Sequence, residues 1–224
     1  DGSGALDEHE SRKLLRAYGV PVAEDRLYPA APISPADAAG LRFPVALKVV
    51  SPEIAHKSDV GGVRLDIADA DGLAAASREM LIALRERVPQ AKVAGLLASP
   101  MVRGGMETIV GVVNDAVFGP VVAFGMGGIH AETLKDMTYR LAPFCVDTAR
   151  EMIGELRASA LFAGVRGQPP RDVAALAQAL SAVSRMAWML RDRLAELDIN
   201  PLLVLPERGG VVAVDALAVL RGTG

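Results

Sequence analysis

Apolar positions recur along the chain with two periods, and the switches between them mark its elements. Residues 7–18, DEHESRKLLRAY, carry the spacing of a short amphipathic helix, with acidic residues in its first turn and Gly19 just past its end. His9 falls among charges on the solvated side of that helix. Val20-Pro21-Val22 continues as an extended piece, and residues 29–44, rich in Ala and Pro, read as a loop with one short helix over 35–40. Two apolar runs, Val45–Val50 and Val63–Ile67, read as strands around a polar loop. From 71 to 88, Leu73, Ala76, Met80, Leu81, Leu84 and Val88 have helical spacing, with Asp71 placed as the N-cap.

Strand patterns return at 93–102, 106–113 and 120–126, with a turn at Asn114-Asp115 and a stop at Gly127-Gly128. Residues 129–147 are the least regular; His130, Glu132, Lys135, Asp136 and Arg140 crowd there, either as a solvated loop with local ion pairs or as part of a site. After Pro169-Pro170 a helical stripe runs Val173, Leu176, Leu180, Val183, Ala187, Leu190, Leu194, Leu197, predicting a helix over 171–197. Met186, Trp188 and Met189 on it read as core or interface. Residues 198–220 hold two apolar strands around the turn at 206–210, a hairpin signal. Clustered strands with helices between some of them predict α+β, not regular βαβ winding.

Composition narrows the function classes. With 224 residues, 51 % hydrophobic and 23 % charged, the chain can bury a full core, built from Ala, Val and Leu because only 4 % is aromatic. A formal charge of −3 without a basic run argues against nucleic acid. One cysteine, Cys145, excludes an internal disulfide framework and fits a reducing compartment. No apolar stretch is long enough for a membrane helix and no signal-peptide pattern opens the chain, so the expectation is a soluble cytoplasmic protein without a membrane role. The Gly-rich ends and the missing initiator Met read as those of a domain within a longer chain.

Candidate chemistry centres on VALKVVSPEIAHKSDVGGVRL, residues 45–65. Lys48 interrupts an apolar strand, which is costly unless an anion meets it or the side chain snorkels to an edge. The chain has 24 basic residues but only five lysines, so a lysine kept there suggests a point charge with a task. Gly61-Gly62 suits either close approach of backbone to a phosphate or an ordinary tight turn. The spacing is not that of a P-loop. In the last hairpin, Asn200 and Asp215 come roughly opposite each other: a pair suited to Mg²⁺, or a turn Asn and an edge Asp.

Taken in order, ESRKLLRAYGVPV, ALKVVSPEIAHKSDVGGV, LLASPMV, METIVGVVND, FGPVVAFGMGGIHAETLKD, RGQPP, DINPLLV and VDALAVL resemble the ATP-grasp domain of NDP-forming acyl-CoA synthetases, relatives of succinyl-CoA synthetase. The resemblance implies two α+β lobes that clamp a nucleotide, the smaller at about residues 22–97 and the larger formed by about 5–21 plus 98–220. It implies ATP/ADP and Mg²⁺ as cofactors. Lys48 would meet the α- and β-phosphates, and the flap with Ser58, Gly61, Gly62 and Val63 would close over them with backbone N–H groups. Ser99, Met101 and Val102 would read the adenine edge, with Ser99-Pro100 departing from the usual Glu or Gln at the start of that connector. Glu107 would reach the ribose or the metal side, and Asn200 and Asp215 would hold Mg²⁺.

In this branch the histidine of HKSD takes a phosphoryl group, which makes His56 the candidate carrier; a neutral imidazole is nucleophilic at physiological pH. The implied partners are the CoA-binding and ligase domains, or a subunit, of the same synthetase, and the chain can also oligomerise. The implied enzyme is an ADP-forming acid–thiol ligase, incomplete on these residues alone. The alternative is a regulatory or scaffold ATP-grasp-like module of a larger protein, such as a protein acetyltransferase; joint retention of Lys48, His56, Glu107, Asn200 and Asp215 favours the enzyme.

Overall fold

The computed structural model describes residues 4–54, 57–128, 136–165 and 167–222. The chain divides into two compact units, Ala23–Arg103 and the combination of Asp1–Val22 with Gly104–Gly224. It is α+β, as the clustered strand patterns predict. Among the described residues no helix is long and apolar enough to cross a membrane.

Within Asp1–Val22 and Gly104–Gly224, strand β1 (Gly4–Ala5) leads to helix α1 (Glu8–Ala17). The Asp7 carboxylate accepts from the Glu10 amide at 2.8 Å, and Gly19, at φ +80°, turns the chain out of the helix. After the 23–103 unit come β6 (Met106–Asp115), β7 (Gly119–Met126), β8 (Met137–Leu141), α3 (Val146–Glu155), α4 (Val173–Met189), β9 (Leu194–Val204), β10 (Val211–Ala213) and β11 (Ala216–Leu220). The sheet is antiparallel with order β1-β11-β9-β6-β7-β8, and β10 pairs with β9. Inward residues of its middle strands, Val110, Val112, Val122, Phe124, Leu197 and Ile199, bury against Leu176, Leu180 and Val183 of α4 and Met152 of α3. Each such aliphatic side chain contributes about 1.5–3 kcal/mol on burial.

The Ala23–Arg103 unit holds β2 (Arg26–Tyr28), a 3₁₀ turn (Pro35–Ala38), β3 (Val45–Val50), β4 (Val63–Ile67), α2 (Ala70–Arg87) and β5 (Gly95–Pro100). Its sheet runs β2-β5-β3-β4. Val45, Leu47 and Val49 of β3 pack with Leu73, Met80 and Leu84 of α2 in a separate core.

Three sequence expectations change. The N-cap of α2 is Asp69, whose carboxylate accepts from the Gly72 amide at 2.8 Å, while Asp71 lies in the first turn. The helix expected over 171–197 ends at Met189, and Leu194 and Leu197 belong to β9. Backbone pairing decides this: β9 is bonded to β11 on one side and β6 on the other, satisfying donors and acceptors that an extended helix would have satisfied internally. The irregular 129–147 stretch contains β8, an edge strand with Tyr139 and Leu141 exposed. Asp136 is buried and accepts the Arg157 and Ala158 amides at 3.0 and 2.8 Å, and Arg140 pairs with Glu155, so these two charges serve structure. His130, Glu132 and Lys135 lie outside the described residues.

Candidate functional site

Lys48 is the one residue of β3 that is not buried. Alternation along the strand turns it away from the face that Val45, Leu47 and Val49 pack against α2. Its cross-strand neighbours are Val63 on β4 and Leu97 on β5, and two residues along, buried Ser99 pairs with Ala46. Lys48, Val63 and Ser99 therefore share one sheet of the smaller unit. Met101 follows, and its amide donates to the Pro44 carbonyl at 2.8 Å, so its backbone N–H is engaged within the unit. Val102 lies just beyond it, half-buried.

The loop between β3 and β4 departs from the expected outward-facing amides. Gly61 N–H donates to the Ser58 carbonyl at 3.1 Å and Gly62 N–H to the Lys57 carbonyl at 2.7 Å, so both are consumed inside the turn. Geometry explains the glycines. Gly61 has φ +75°, and a Cβ on Gly62 would lie 2.5 Å from Val49 Cγ1 and 3.0 Å from the Lys57 carbonyl oxygen. The tight-turn reading accounts for these glycines in this conformation. His56, the candidate carrier, lies outside the described residues; Ser58 is exposed in the turn that follows.

In the larger unit, β9 alternates buried Leu197 and Ile199 with exposed Glu196, Asp198 and Asn200. The Asn200 amide donates to the Asp215 carbonyl at 3.2 Å, and the Val214 amide to the Pro201 carbonyl at 3.0 Å. Asn200 and Asp215 are thus direct neighbours at the break between β10 and β11. Glu107 on β6 pairs with Leu203, accepts the Gly127 amide at its carbonyl at 2.8 Å, and is exposed. A Cβ on Gly128 would lie 2.7 Å from Glu107 Oε2, so the carboxylate rests against that glycine.

Asp198 was not singled out in the sequence, although it opens DINPLLV. Crowding by protein atoms pushes its carboxyl pKa up, and the charge of Asp215 adds to the rise. The charges of Asp198 and Asp215 act on each other, and Asn200 is the backbone neighbour of Asp215; carboxylates and an amide are residue types suited to a divalent cation. Among the described residues no group of three His, Cys, Asp or Glu forms a metal nest. A hard cation held here would take one or two protein oxygens and complete its shell with phosphate and water, which is the habit of Mg²⁺. The donor set fits. Along the same sheet a trough of about 360 Å³ continues, lined by Gly111, Val113, Tyr139, Asp198, Leu217 and Val219.

Residues 1–220 match the family of the ATP-grasp domain. This chain is an ATP-grasp domain. The domain is 39 % identical, over 99 % of its length and 94 % of the relative's, to the β subunit of the ADP-forming acetate–CoA ligase II of Pyrococcus furiosus. It is also 39 % identical to the ADP-forming acetate–CoA ligase I of Archaeoglobus fulgidus, covering 98 % of this chain but 32 % of that one. The ATP-grasp domain thus spans nearly all of a separate β subunit and about a third of a longer ligase. Among solved structures it superposes, with TM-score 0.91 and 36 % identity over 98 % of this chain and 95 % of the other, on an acetyl-coenzyme A synthetase 1 of Candidatus Korarchaeum cryptofilum in complex with coenzyme A, Ca-AMPCP and HgCl⁺. A second structure of that synthetase, at TM-score 0.89 and 34 % identity over 98 % and 95 % of the two chains, contains a phosphorylated phosphohistidine segment. The two-lobed α+β ATP-grasp fold expected from the sequence is the fold of these neighbours.

Proposed function

We propose that this ATP-grasp domain is the nucleotide-binding part of an ADP-forming acyl-CoA synthetase and moves a phosphoryl group reversibly between Mg·ATP and a histidine. The observation that carries the reading is the pairing of Asn200 with Asp215 at the β10–β11 break, in a chain that aligns end to end with an ADP-forming acetate–CoA ligase β subunit. Asn200 and Asp215 are assigned the metal, with Asp198 beside them. Bound Mg²⁺ would neutralise charge on the transferring phosphates.

Lys48 and the turn with Ser58, Gly61, Gly62 and Val63 are assigned the phosphates; Lys48 would bring the positive charge, and the Gly61 and Gly62 amides are engaged inside the turn in this conformation. Ser99, Met101 and Val102 are assigned the adenine edge and Glu107 the ribose or metal side. In the transfer an imidazole nitrogen of His56 attacks the γ-phosphorus. The bond from that phosphorus to the β–γ bridging oxygen breaks, and ADP leaves with the electron pair. Acyl phosphate and acyl-CoA chemistry is assigned to CoA-binding and ligase domains or a subunit beyond these residues.

The test is intact-mass and phosphate-lability analysis after incubation with Mg·ATP, beside His56→Ala. A base-stable, acid-labile phosphoryl group absent from the variant is expected. A domain that binds ATP and gains no phosphoryl group, with or without the partner domains, refutes the carrier role.

A further inference from the structure

Arg12 is the largest fully buried side chain among the described residues, at 0 % exposure, on a helix whose Glu10, Lys13 and Arg16 are exposed. Its guanidinium donates from Nη2 to two acceptors: the carboxylate of Glu8, one turn earlier and itself 4 % exposed, and the backbone carbonyl of Val214. Val214 lies between β10 and β11, and its carbonyl belongs to the peptide plane that ends at the Asp215 nitrogen. Because that plane is rigid and runs through to the Asp215 Cα, holding the carbonyl restricts where that Cα sits and so the directions in which the Asp215 side chain can leave the backbone. The rest of the break is tied as well. The Val214 amide goes to Pro201 at 3.0 Å, the Ala213 amide to Pro21 at 2.9 Å, and the Asn200 amide to Asp215 at 3.2 Å. The Ser11 hydroxyl oxygen accepts the Ala218 amide at 3.0 Å.

We propose that the buried Glu8–Arg12 pair is a positioning device that orients Asp215, and through the Asp215 carbonyl Asn200, for a divalent cation. It rests on the reading of Asn200 and Asp215 given above. A contact that served stability alone would not need an ion pair, since apolar residues of similar volume replace buried pairs at little or no loss of stability. What apolar residues cannot supply is a rigid, planar donor to a backbone carbonyl.

The experiment titrates Mn²⁺ in the presence of ADP and follows free Mn²⁺ by electron paramagnetic resonance, with metal-free melting temperatures in parallel. It compares the unaltered 224-residue chain, Asp215→Asn, the double variant Glu8→Leu/Arg12→Met, and Arg12→Lys. Outer-shell partners typically carry about 10- to 100-fold of metal affinity. The double variant leaves the Val214 carbonyl without the guanidinium donor, and is expected to melt a few degrees below the unaltered chain, still folded, and to bind Mn²⁺ about tenfold more weakly. Arg12→Lys keeps the charge but loses the fork, and a smaller weakening with melting unchanged is expected. Full Mn²⁺ affinity in the double variant, with Asp215→Asn impaired, overturns the positioning role and leaves the metal reading standing. If the double variant does not fold, Arg12→Lys decides on the same criterion. Equal Mn²⁺ binding by Asp215→Asn and the unaltered chain overturns the metal reading, and the positioning role with it.

Discussion

Thr108 offers a sharp test of how the larger sheet is held where its candidate ligands emerge. The ladder between β6 and β9 shifts register between Thr108 and Val110. At that irregularity the fully buried Thr108 hydroxyl donates to the Leu202 carbonyl at 2.6 Å, two residues beyond Asn200. Thr108→Val keeps the shape and removes the donor. Leaving a buried carbonyl short of one bond costs about 1–3 kcal/mol, and the added methyl returns up to about 0.8 kcal/mol, so a net loss of about 1–2 kcal/mol is expected. For a chain of this size that is roughly 2–8 °C in melting temperature. Thr108→Ser keeps the donor and sheds a methyl group, costing about 1 kcal/mol. Trp188, the single tryptophan, sits at the end of α4 in the same unit, so its fluorescence during urea unfolding reports on this unit. A Val variant as stable as the unaltered protein beside a weaker Ser variant would show that Thr108 acts through its methyl, and would refute the hydrogen-bond account.

Two further outcomes are expected. Gly62→Ala forces a Cβ to 2.5 Å from Val49 Cγ1 and 3.0 Å from the Lys57 carbonyl, so the turn must open, at a cost of about 1–3 kcal/mol. Hydrogen exchange should rise in peptides spanning 57–67 and stay unchanged in α4; equal protection everywhere would contradict the steric account. Asp115 accepts the Phe118 and Val117 amides, which hold its carboxyl pKa below the usual carboxylate value. Its contribution is therefore present above the unfolded pKa and lost as pH falls through the lower folded one. Carbon-detected NMR titration should find Asp115 ionised to lower pH than ordinary surface aspartates, and an ordinary midpoint would refute the turn geometry.

How much was legible in the sequence depended on whether local signals and long-range pairing agreed. The strand Val45–Val50 with its lone lysine was readable because a six-residue apolar run has few alternatives, and the neighbouring of Asn200 and Asp215 followed from the hairpin turn at 206–210. Helix α3 gave no start signal. Its N-cap is Cys145, which makes no side-chain capping bond. Strand β8 hid because Tyr139 and Leu141 face outward from a sheet edge, so its pattern lacks an apolar core side. The end of α4 was misread because Leu190, Leu194 and Leu197 keep helical spacing by coincidence, two of them being core residues of a strand that only its partners β6 and β11 define. Arg12 and Thr108 look like surface residues in the sequence. Their roles come from contacts with residues 202 and 94 positions away, which no local window contains.

The chain leaves the larger unit after Val22 and returns to it at Gly104. On a ribosome this arrangement imposes a schedule. The Ala23–Arg103 unit, with its own core, can close once its last strand β5 has emerged. Helix α1 emerges before either core strand cluster, yet its bond to β11 cannot form until Ala218 is made, 207 residues after Ser11. At about 5–20 residues per second, α1 waits roughly 10–40 s with Leu15 and Val20 uncovered. A segment made before the rest of its unit is therefore buried late, which makes it a natural handhold for a chaperone or a protease during synthesis.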